Sequence, residues 1–518
     1  MLHVDMNLPV SKDILSPLSE PSLESDSVLS SSSSSTSVAS DHLDYISSFH
    51  VSASNLSRHS DSVFESFNEA LSQNSSITML PNYDISPTGE ESGDFLVIDL
   101  GGSTLRVAVV SIDPRSANKA TVVIEKKWLV ENSFKLVDLN FFKWISAKIV
   151  ETLGEQSVLS TKSVLKTGIT WSFPLDQTSF NKGRIQVMAK GYTVSPDVYN
   201  KDLKDLLEST MKESYDIDVD VRALVNDSLA VYAAGAYLDK YMKLAIVLGT
   251  GLNMCCSLKT SDKFHEHKTL NQEPAVLLNS ELSLFGHQLI PDICTKYDKL
   301  IDSRLDATVS DLGFIPYMEL PESKRKILQP SELTTSGRYL PEITRLILVD
   351  MIKNHEILNN IPKKSIQHLY NAYDGFSGEV MCFISENNDE VLIKEKLQSV
   401  YGWDSECVSY EDIYKIRTAI QAVITRGAYI VASMIIASIK LISHHNGQIN
   451  QGPGPQKLHI GFVGSVLEYF NEYRELILKF IRENEDIQKM DIFVDFKFVA
   501  HSSIVGAAVG AAYYSSSS

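Results

Sequence analysis

The chain has 518 residues, 43% of them apolar and 22% charged, and a net charge of −18 from 47 basic against 65 acidic side chains. That length is too great for one ordinary core and implies two or three domains, and the composition is that of a globular soluble protein. The acidic balance argues against a surface built to coat nucleic acid or anionic membrane, since both are themselves negative, although a local cluster of backbone N–H groups can still serve a phosphate. No run of about 20 uninterrupted apolar residues is present, and the N-terminus lacks the basic-then-apolar pattern of a secretory signal, so a cytoplasmic protein without a membrane span is expected. The cysteines, Cys255, Cys256, Cys294, Cys382 and Cys407, show no metal-ligand spacing and read as buried, reduced thiols.

In chain order, residues 1–40 form a serine-rich leader with an unbroken run from Ser30 to Ser35. Such a segment cannot bury enough apolar surface to offset its chain entropy and is expected to be disordered. From Asp41 to Gln73, spaced apolar residues including Leu43, Phe49, Val63, Phe67 and Leu71 predict helices. Strands are expected at Phe95–Ile98, Val107–Val110, Lys166–Phe173, Val219–Val225, Leu244–Leu248 and Met254–Leu258, then late in the chain at Leu458–Val463 and Ile492–Val499. Helices are expected at Lys143–Leu153, Leu229–Leu238, Tyr339–His355, Tyr410–Ile442, Val466–Asn484 and Ser503–Tyr513. Alternating strands and helices indicate an α/β architecture. Cys255 and Cys256, adjacent in a strand, should face opposite ways.

Two loops stand out. Asp99-Leu-Gly-Gly-Ser-Thr follows one apolar strand, and Gly249-Thr-Gly251 follows another. Glycines there let the backbone turn sharply and present N–H groups to anionic oxygens. Either string alone could be an ordinary turn; two strand-terminal loops are what a site gripping a polyphosphate from both sides requires. Neither fits the Gly-x4-Gly-Lys-Ser/Thr loop or a Gly-x-Gly-x-x-Gly fingerprint, which sets aside P-loop ATPases and dinucleotide-dependent oxidoreductases.

Asp99-Leu-Gly-Gly-Ser-Thr-Leu-Arg-Val, Trp171-Ser-Phe-Pro, Lys190-Gly-Tyr, Asn226-Asp227-Ser and Gly249-Thr-Gly-Leu-Asn253 stand in the order of the hexokinase family, and the chain resembles that family from about Asp41 onward. Lesser matches are Met79-Leu-Pro, Asn279-Ser-Glu281, Ser336-Gly-Arg-Tyr-Leu and Gly464-Ser465. The resemblance implies a two-lobed actin-like ATPase fold, with sugar and ATP as small-molecule partners in the cleft between lobes 41–240 and 241–518. It implies Asp227 as the base that accepts the sugar hydroxyl proton, a modest base being enough for a loose phosphoryl-transfer transition state. Asp227 also reads as part of a helix start. Lys190 would hold the sugar or steady charge at the reacting oxygen. Ser172, Asn226, Asn253, Glu281, Gln329 and Glu332 are assigned to the sugar, whose hydroxyls are donor and acceptor together. Asp99, Gly101, Gly102, Ser103, Arg106 and Thr250 would face the phosphates, and Gly464, Ser465, Ser503 and Gly506 would lie near the adenosine. No side chain is expected to ligate a metal directly; Mg²⁺ would come with ATP, with Asp99 nearby.

Departures from the family pattern gather on the sugar side. Ala189 replaces a threonine before Lys190, Glu281-Leu-Ser-Leu-Phe replaces Glu-Trp-Gly-Ala/Ser-Phe, Ser331-Glu-Leu-Thr334 replaces Phe-Glu-Lys-Met, and Ser228-Leu-Ala230 replaces Thr-Val-Gly. The C-terminal Asp-Gly-Ser-Gly becomes His501-Ser-Ser-Ile504. Loss of a hydroxyl and of a bulky indole makes room for an apolar substituent, so the chain is similar to the fungal N-acetylglucosamine kinases of the family. Glucose or mannose phosphorylation is the alternative expectation, and a sugar-sensing regulator on the same fold is a second.

Overall fold

The structure is a computed structural model that describes residues 44–75, 77–154, 164–188, 191–270, 272–301, 329–447 and 456–516. The serine-rich leader, and Lys190 with Ala189 before it, lie outside the described residues. Helix α1 (Leu56–Ser72) buries the stripe Leu56, Val63, Phe67 and Leu71, and Met79 in a left-handed turn leads into β1 (Leu80–Tyr83). The strands β2 (Gly93–Leu100), β3 (Thr104–Ile112) and β4 (Ala120–Leu129) follow one another as antiparallel hairpins. Helix α2 (Leu139–Leu153) crosses to β5 (Leu165–Trp171), parallel to β2. Helix α3 (Leu203–Tyr215) then crosses to β6 (Val219–Val225), parallel to β5, and α4 (Asp227–Leu238) follows at once.

The second half repeats this connectivity. Strands β7 (Met242–Leu248), β8 (Leu252–Lys259) and β9 (Ala275–Asn279) are antiparallel neighbours. A helical region follows, with α5 (Pro330–Thr335), α6 (Leu340–Lys353), α7 (Gly378–Glu386) and α8 (Tyr410–Asn446). It leads to β10 (Gln456–Val463) parallel to β7, then α9 (Asn471–Glu483), β11 (Ile492–Phe498) parallel to β10, and α10 (Ser502–Ser516). The sheet orders are β6-β5-β2-β3-β4 and β1-β9-β8-β7-β10-β11, so both share a five-strand arrangement and β1 is added at the edge of the second. In each sheet the first hairpin turn is one of the two glycine loops.

Three cores follow from this layering. One lies beneath the second sheet around α8, another behind the first sheet under α2 and α3, and the third between the sheets. Helix α8 is long and apolar enough to cross a membrane, but 89% of its most apolar window is buried in the protein, as suits a central core helix. Between the sheets lie α4 and α10, both apolar on every side because each has a sheet on one flank and the other helix on the opposite one. Helix α10 packs on the first sheet, although it follows the last strand of the second, and α4 packs on the second although it follows the first. Their backbones nearly touch: a Cβ on Gly506 would lie 2.1 Å from the carbonyl oxygen of Ala230, and one on Gly168 of β5 would lie 2.1 Å from that of Ala507.

Several expectations need correction. The lobes are not the contiguous halves 41–240 and 241–518, because α1 packs on α8, β1 joins the second sheet, and α10 returns to the first. Amphipathic elements end where their apolar faces find partners, and chain position does not limit that. The helix expected at Val466–Asn484 breaks at Phe470 into Ser465–Tyr469 and α9. Cys255 and Cys256 do face opposite cores, and burial pushes the Cys256 thiol up to about 12. Cys294, Cys382 and Cys407, expected buried, are partly exposed and in no disulfide.

Gly506→Val should therefore lower stability by about 3 kcal/mol or more through backbone overpacking, read as a fall in Tm. Gly154→Ala, where an added Cβ meets nothing within 4 Å, should leave Tm unchanged.

Candidate functional site

The first glycine loop is the turn between β2 and β3. Gly101 N–H donates to Thr104 O at 2.9 Å, which leaves Ser103 exposed at the tip. One residue behind the turn, the antiparallel register sets Asp99 opposite Arg106. Their side chains form an ion pair, and Ser503 closes the group: its hydroxyl donates to Asp99 Oδ2 at 3.0 Å and accepts from Arg106 at 2.6 Å. Thr170 Oγ1 donates to the Ser503 carbonyl at 2.7 Å, fixing the start of α10 against β5. Asp99 is 4% exposed. Burial raises its carboxyl above the usual range against the opposing pull of Arg106 and Ser503, and the nearby Asp227 raises it further.

Asp227 is the first residue of α4, delivered by β6. Asn226 caps that helix: its Oδ1 accepts from the Ser228 backbone N–H at 3.0 Å and from the Ser228 hydroxyl at 2.8 Å. The first turns of α4 and α10 thus converge on Asp99, one bringing a carboxylate and the other a hydroxyl.

The second loop turns from β7 into β8, with Gly249 N–H donating to Gly251 O at 3.0 Å and Thr250 exposed. Gly464 sits against it with φ +107°, where an added Cβ would lie 2.4 Å from Leu248 O, so only glycine fits. Gly337 N–H donates to Gly249 O at 2.7 Å. Beyond Gly337 and Ser465 opens a cavity of about 490 Å³ lined by Leu340, Pro341, Met381, Phe383, Val466 and Tyr469. Its volume and apolar walls suit a flat heteroaromatic group attached to a phosphate chain held at the loop.

A separate polar cluster is built on the second sheet. Asn253 on β8 and Asn279 at the end of β9 are joined at 2.8 Å, and Asn279 donates to Glu281 Oε1 at 2.8 Å. Glu332 on α5 accepts the Leu252 N–H at 3.0 Å, and Gln329 before α5 donates to Ser283 Oγ at 3.3 Å. From the first lobe, Ser172 N–H donates to Leu100 O at 3.1 Å, tying the Trp171-Ser-Phe-Pro segment to the end of β2. Asn226, Asn279, Trp171, Phe173 and Pro174 share the wall of a cavity of about 300 Å³ between the sheets.

The structure thus gathers Asp99, Arg106, Ser503 and Asp227 at one place, Gly249, Gly464 and Ser465 at a second, and Asn253, Glu281, Gln329 and Glu332 about the third. Gly506 is not at a ligand surface; it is spent on the contact with α4. Ser503 belongs with Asp99 on the phosphate side, away from the 490 Å³ cavity. Sequence reasoning missed most walls of that cavity, which come from α6, α7 and the Ser465–Tyr469 helix; the strings Ser336-Gly-Arg-Tyr-Leu340 and Gly464-Ser465 were the local signals for it. Asn279 was seen only as part of a motif. Among the described residues no group of three or more His, Cys, Asp or Glu side chains could hold a metal by itself.

Two family models, both described as hexokinase, match residues 42–237 and 243–513. The chain is 49% identical over 471 residues to N-acetylglucosamine kinase 1 of Candida albicans, covering 90% of this chain and 92% of that protein. It is 26% identical over 414 residues to hexokinase-1 of Saccharomyces cerevisiae, covering 79% and 77%. Among solved structures, a hexokinase from Schistosoma mansoni complexed with glucose superposes with a TM-score of 0.66 at 21% identity, covering 91% of this chain and 98% of that one.

A carboxyl held above its unfolded value binds its proton more tightly in the native state, so it withdraws stability as pH rises from the unfolded pKa through the native one. Asp99→Asn should therefore melt at or above the wild-type Tm at pH 7. The difference should vanish below about pH 4, where the unfolded carboxyl is also protonated. Melting curves at both pH values check this, and a lower Tm for the variant at pH 7 would reverse the sign.

Proposed function

The chain belongs to the hexokinase family, and from that premise we propose that it transfers the γ-phosphoryl group of ATP to the 6-hydroxyl of N-acetylglucosamine. The products are N-acetylglucosamine 6-phosphate and ADP. The observation that carries the reaction is the place of Asp227 at the start of α4, near enough to Asp99 to raise its carboxyl, with the preceding Asn226 on the wall of the cavity that Asn279 also lines. The acceptor is supported by 49% identity over most of the chain to a protein named as an N-acetylglucosamine kinase, against 26% to the yeast hexokinase.

In this reading the sugar lies against Asn253, Glu281 and Glu332, with Ser172 and Asn226 reaching it from the first lobe. Gln329 orients Ser283 beside Glu281. Asp227 accepts the O6 proton as a bond forms from O6 to the γ-phosphorus and the bond from that phosphorus to the ADP oxygen breaks. Lys190, outside the described residues, keeps the sugar-side role implied by the resemblance. The two glycine loops face the phosphates with the N–H groups of Gly102 and Thr250, since those of Gly101 and Gly249 close their own turns; Ser103 and Arg106 bind the phosphate oxygens, and the adenine occupies the 490 Å³ cavity next to Gly464 and Ser465.

Mg²⁺ fits this donor set as a passenger of ATP. One buried carboxylate, Asp99, with no cluster of further ligands among the described residues, matches an ion that keeps mainly water and phosphate oxygens. When bound it supplies charge neutralisation on the phosphate oxygens.

A coupled ADP-release assay over N-acetylglucosamine, glucose, mannose and fructose tests the acceptor. The expected result is the highest kcat/KM for N-acetylglucosamine, and an equal or higher value for glucose overturns that assignment. Asp227→Asn should lower kcat about 10²-fold or more with little change in the sugar KM, as loss of a general base requires. Full cellular function in an Asp227→Ala strain would favour a sensor over an enzyme.

A further inference from the structure

We propose that Asn279 is a positioning residue for the acceptor, setting the donor and acceptor polarity of Asn253 and Glu281 through one directed hydrogen-bond chain. The inference rests on the reading that those two residues hold the sugar. Asn279 is the last residue of β9 and is 2% exposed. It pairs with Leu80 of β1 on one side and Cys255 of β8 on the other, so its backbone is held from both directions.

An asparagine amide can usually be turned over without altering its shape, but here each orientation is forced. A carboxylate only accepts, so Asn279 must present its NH₂ group to Glu281 Oε1. Its Oδ1 then faces Asn253, which must present its own NH₂ in turn. That places Asn253 Oδ1 on the backbone N–H of Met254 at 2.7 Å and of Leu282 at 3.4 Å, both donors only. The chain therefore runs in one direction from backbone N–H groups to a carboxylate, and Asn279 is the link that no other described residue replaces.

Two consequences concern the sugar. The second N–H of Asn253 and the second oxygen of Glu281 take no partner among the described residues. An open donor beside an open acceptor matches a sugar hydroxyl, which needs one of each. Glu281 also sits at φ +50°, a left-handed conformation costly for a non-glycine residue, and its bond to Asn279 helps to hold it there.

The test compares wild type, Asn279→Asp, Glu281→Gln and the double variant, using whichever sugar the wild type prefers, so the outcome does not depend on the N-acetyl group. Asn279→Asp keeps the shape and still accepts from Asn253, but it has no N–H for Glu281. Its sugar KM should rise about tenfold or more, with the ATP KM within about twofold, and its Tm should fall because a buried carboxyl then faces Glu281. In the double variant the glutamine amide can donate to the new carboxylate, so the loss should be smaller than the product of the two single losses. A merely structural residue would give neither the split between sugar and ATP nor that recovery. A sugar KM within about twofold of wild type for Asn279→Asp, a parallel rise in the ATP KM, or purely multiplicative losses would each overturn the proposal. If Glu281→Gln itself leaves the sugar KM unchanged, the acceptor site falls and the proposal with it; loss in that variant with Asn279→Asp silent sinks the positioning role alone. Should Asn279→Asp not fold, Asn279→Ser, too short to span both partners, is judged by the same KM split.

Discussion

The crossing of α4 and α10 is the constraint on which the rest of the molecule depends. Gly506 brings one helix backbone against the Ala230 carbonyl of the other, and Gly168 lets α10 lie equally close to β5. Because each helix packs on the sheet it does not follow, the crossing joins two similar α/β units into one body. It also fixes where the helices begin. Asp227 and Ser503 are first-turn residues, so their positions relative to Asp99 are set by backbone contact and do not depend on flexible side chains.

Around that point the electrostatics are finely opposed. Asp227 stands close enough to Asp99 to raise its carboxyl, and Asp99 is almost wholly buried. Burial of an anion without partners is costly, and here Arg106 and Ser503 supply them. A site that stores an unfavourable carboxylate and holds it with a partly exposed guanidinium suits the proposed binding of a cation and polyphosphate. Stability is given up locally for binding, as is common where chemistry occurs.

The acceptor side follows a different rule. There the polar groups of Asn253, Asn279 and Glu281 are buried, and their bonds agree in polarity from end to end. Such a network is unforgiving of partial satisfaction, since an orphaned amide costs more than the bond it loses. The departures at Leu282, Ser283 and Leu284 sit on a short turn directly after this network. Leu282 faces the core and Ser283 meets Gln329, so the neighbourhood of the sugar can change while the chain of amides is kept.

The sequence by itself determined the parts governed by short-range rules. Both glycine loops could be read because a turn between apolar strands needs residues without side chains, and the strand at Phe95–Ile98 could be read because burial on both faces leaves a continuous apolar run. Asn226-Asp227 was legible for the same local reason, as a helix start. Edge strand β4, with exposed Thr121, Val123, Lys127 and Leu129 among half-buried residues, carried no comparable signal. Only the tertiary structure decided how the lobes are composed, since α1, β1 and α10 find their partners across hundreds of residues. It alone assembled the 490 Å³ cavity from separate helices, moved Gly506 from a supposed ligand contact to a helix crossing, and made Asn279 the link between Asn253 and Glu281. These are long-range packing and hydrogen-bond relations, and spacing along a chain does not encode which distant backbone or amide will be met.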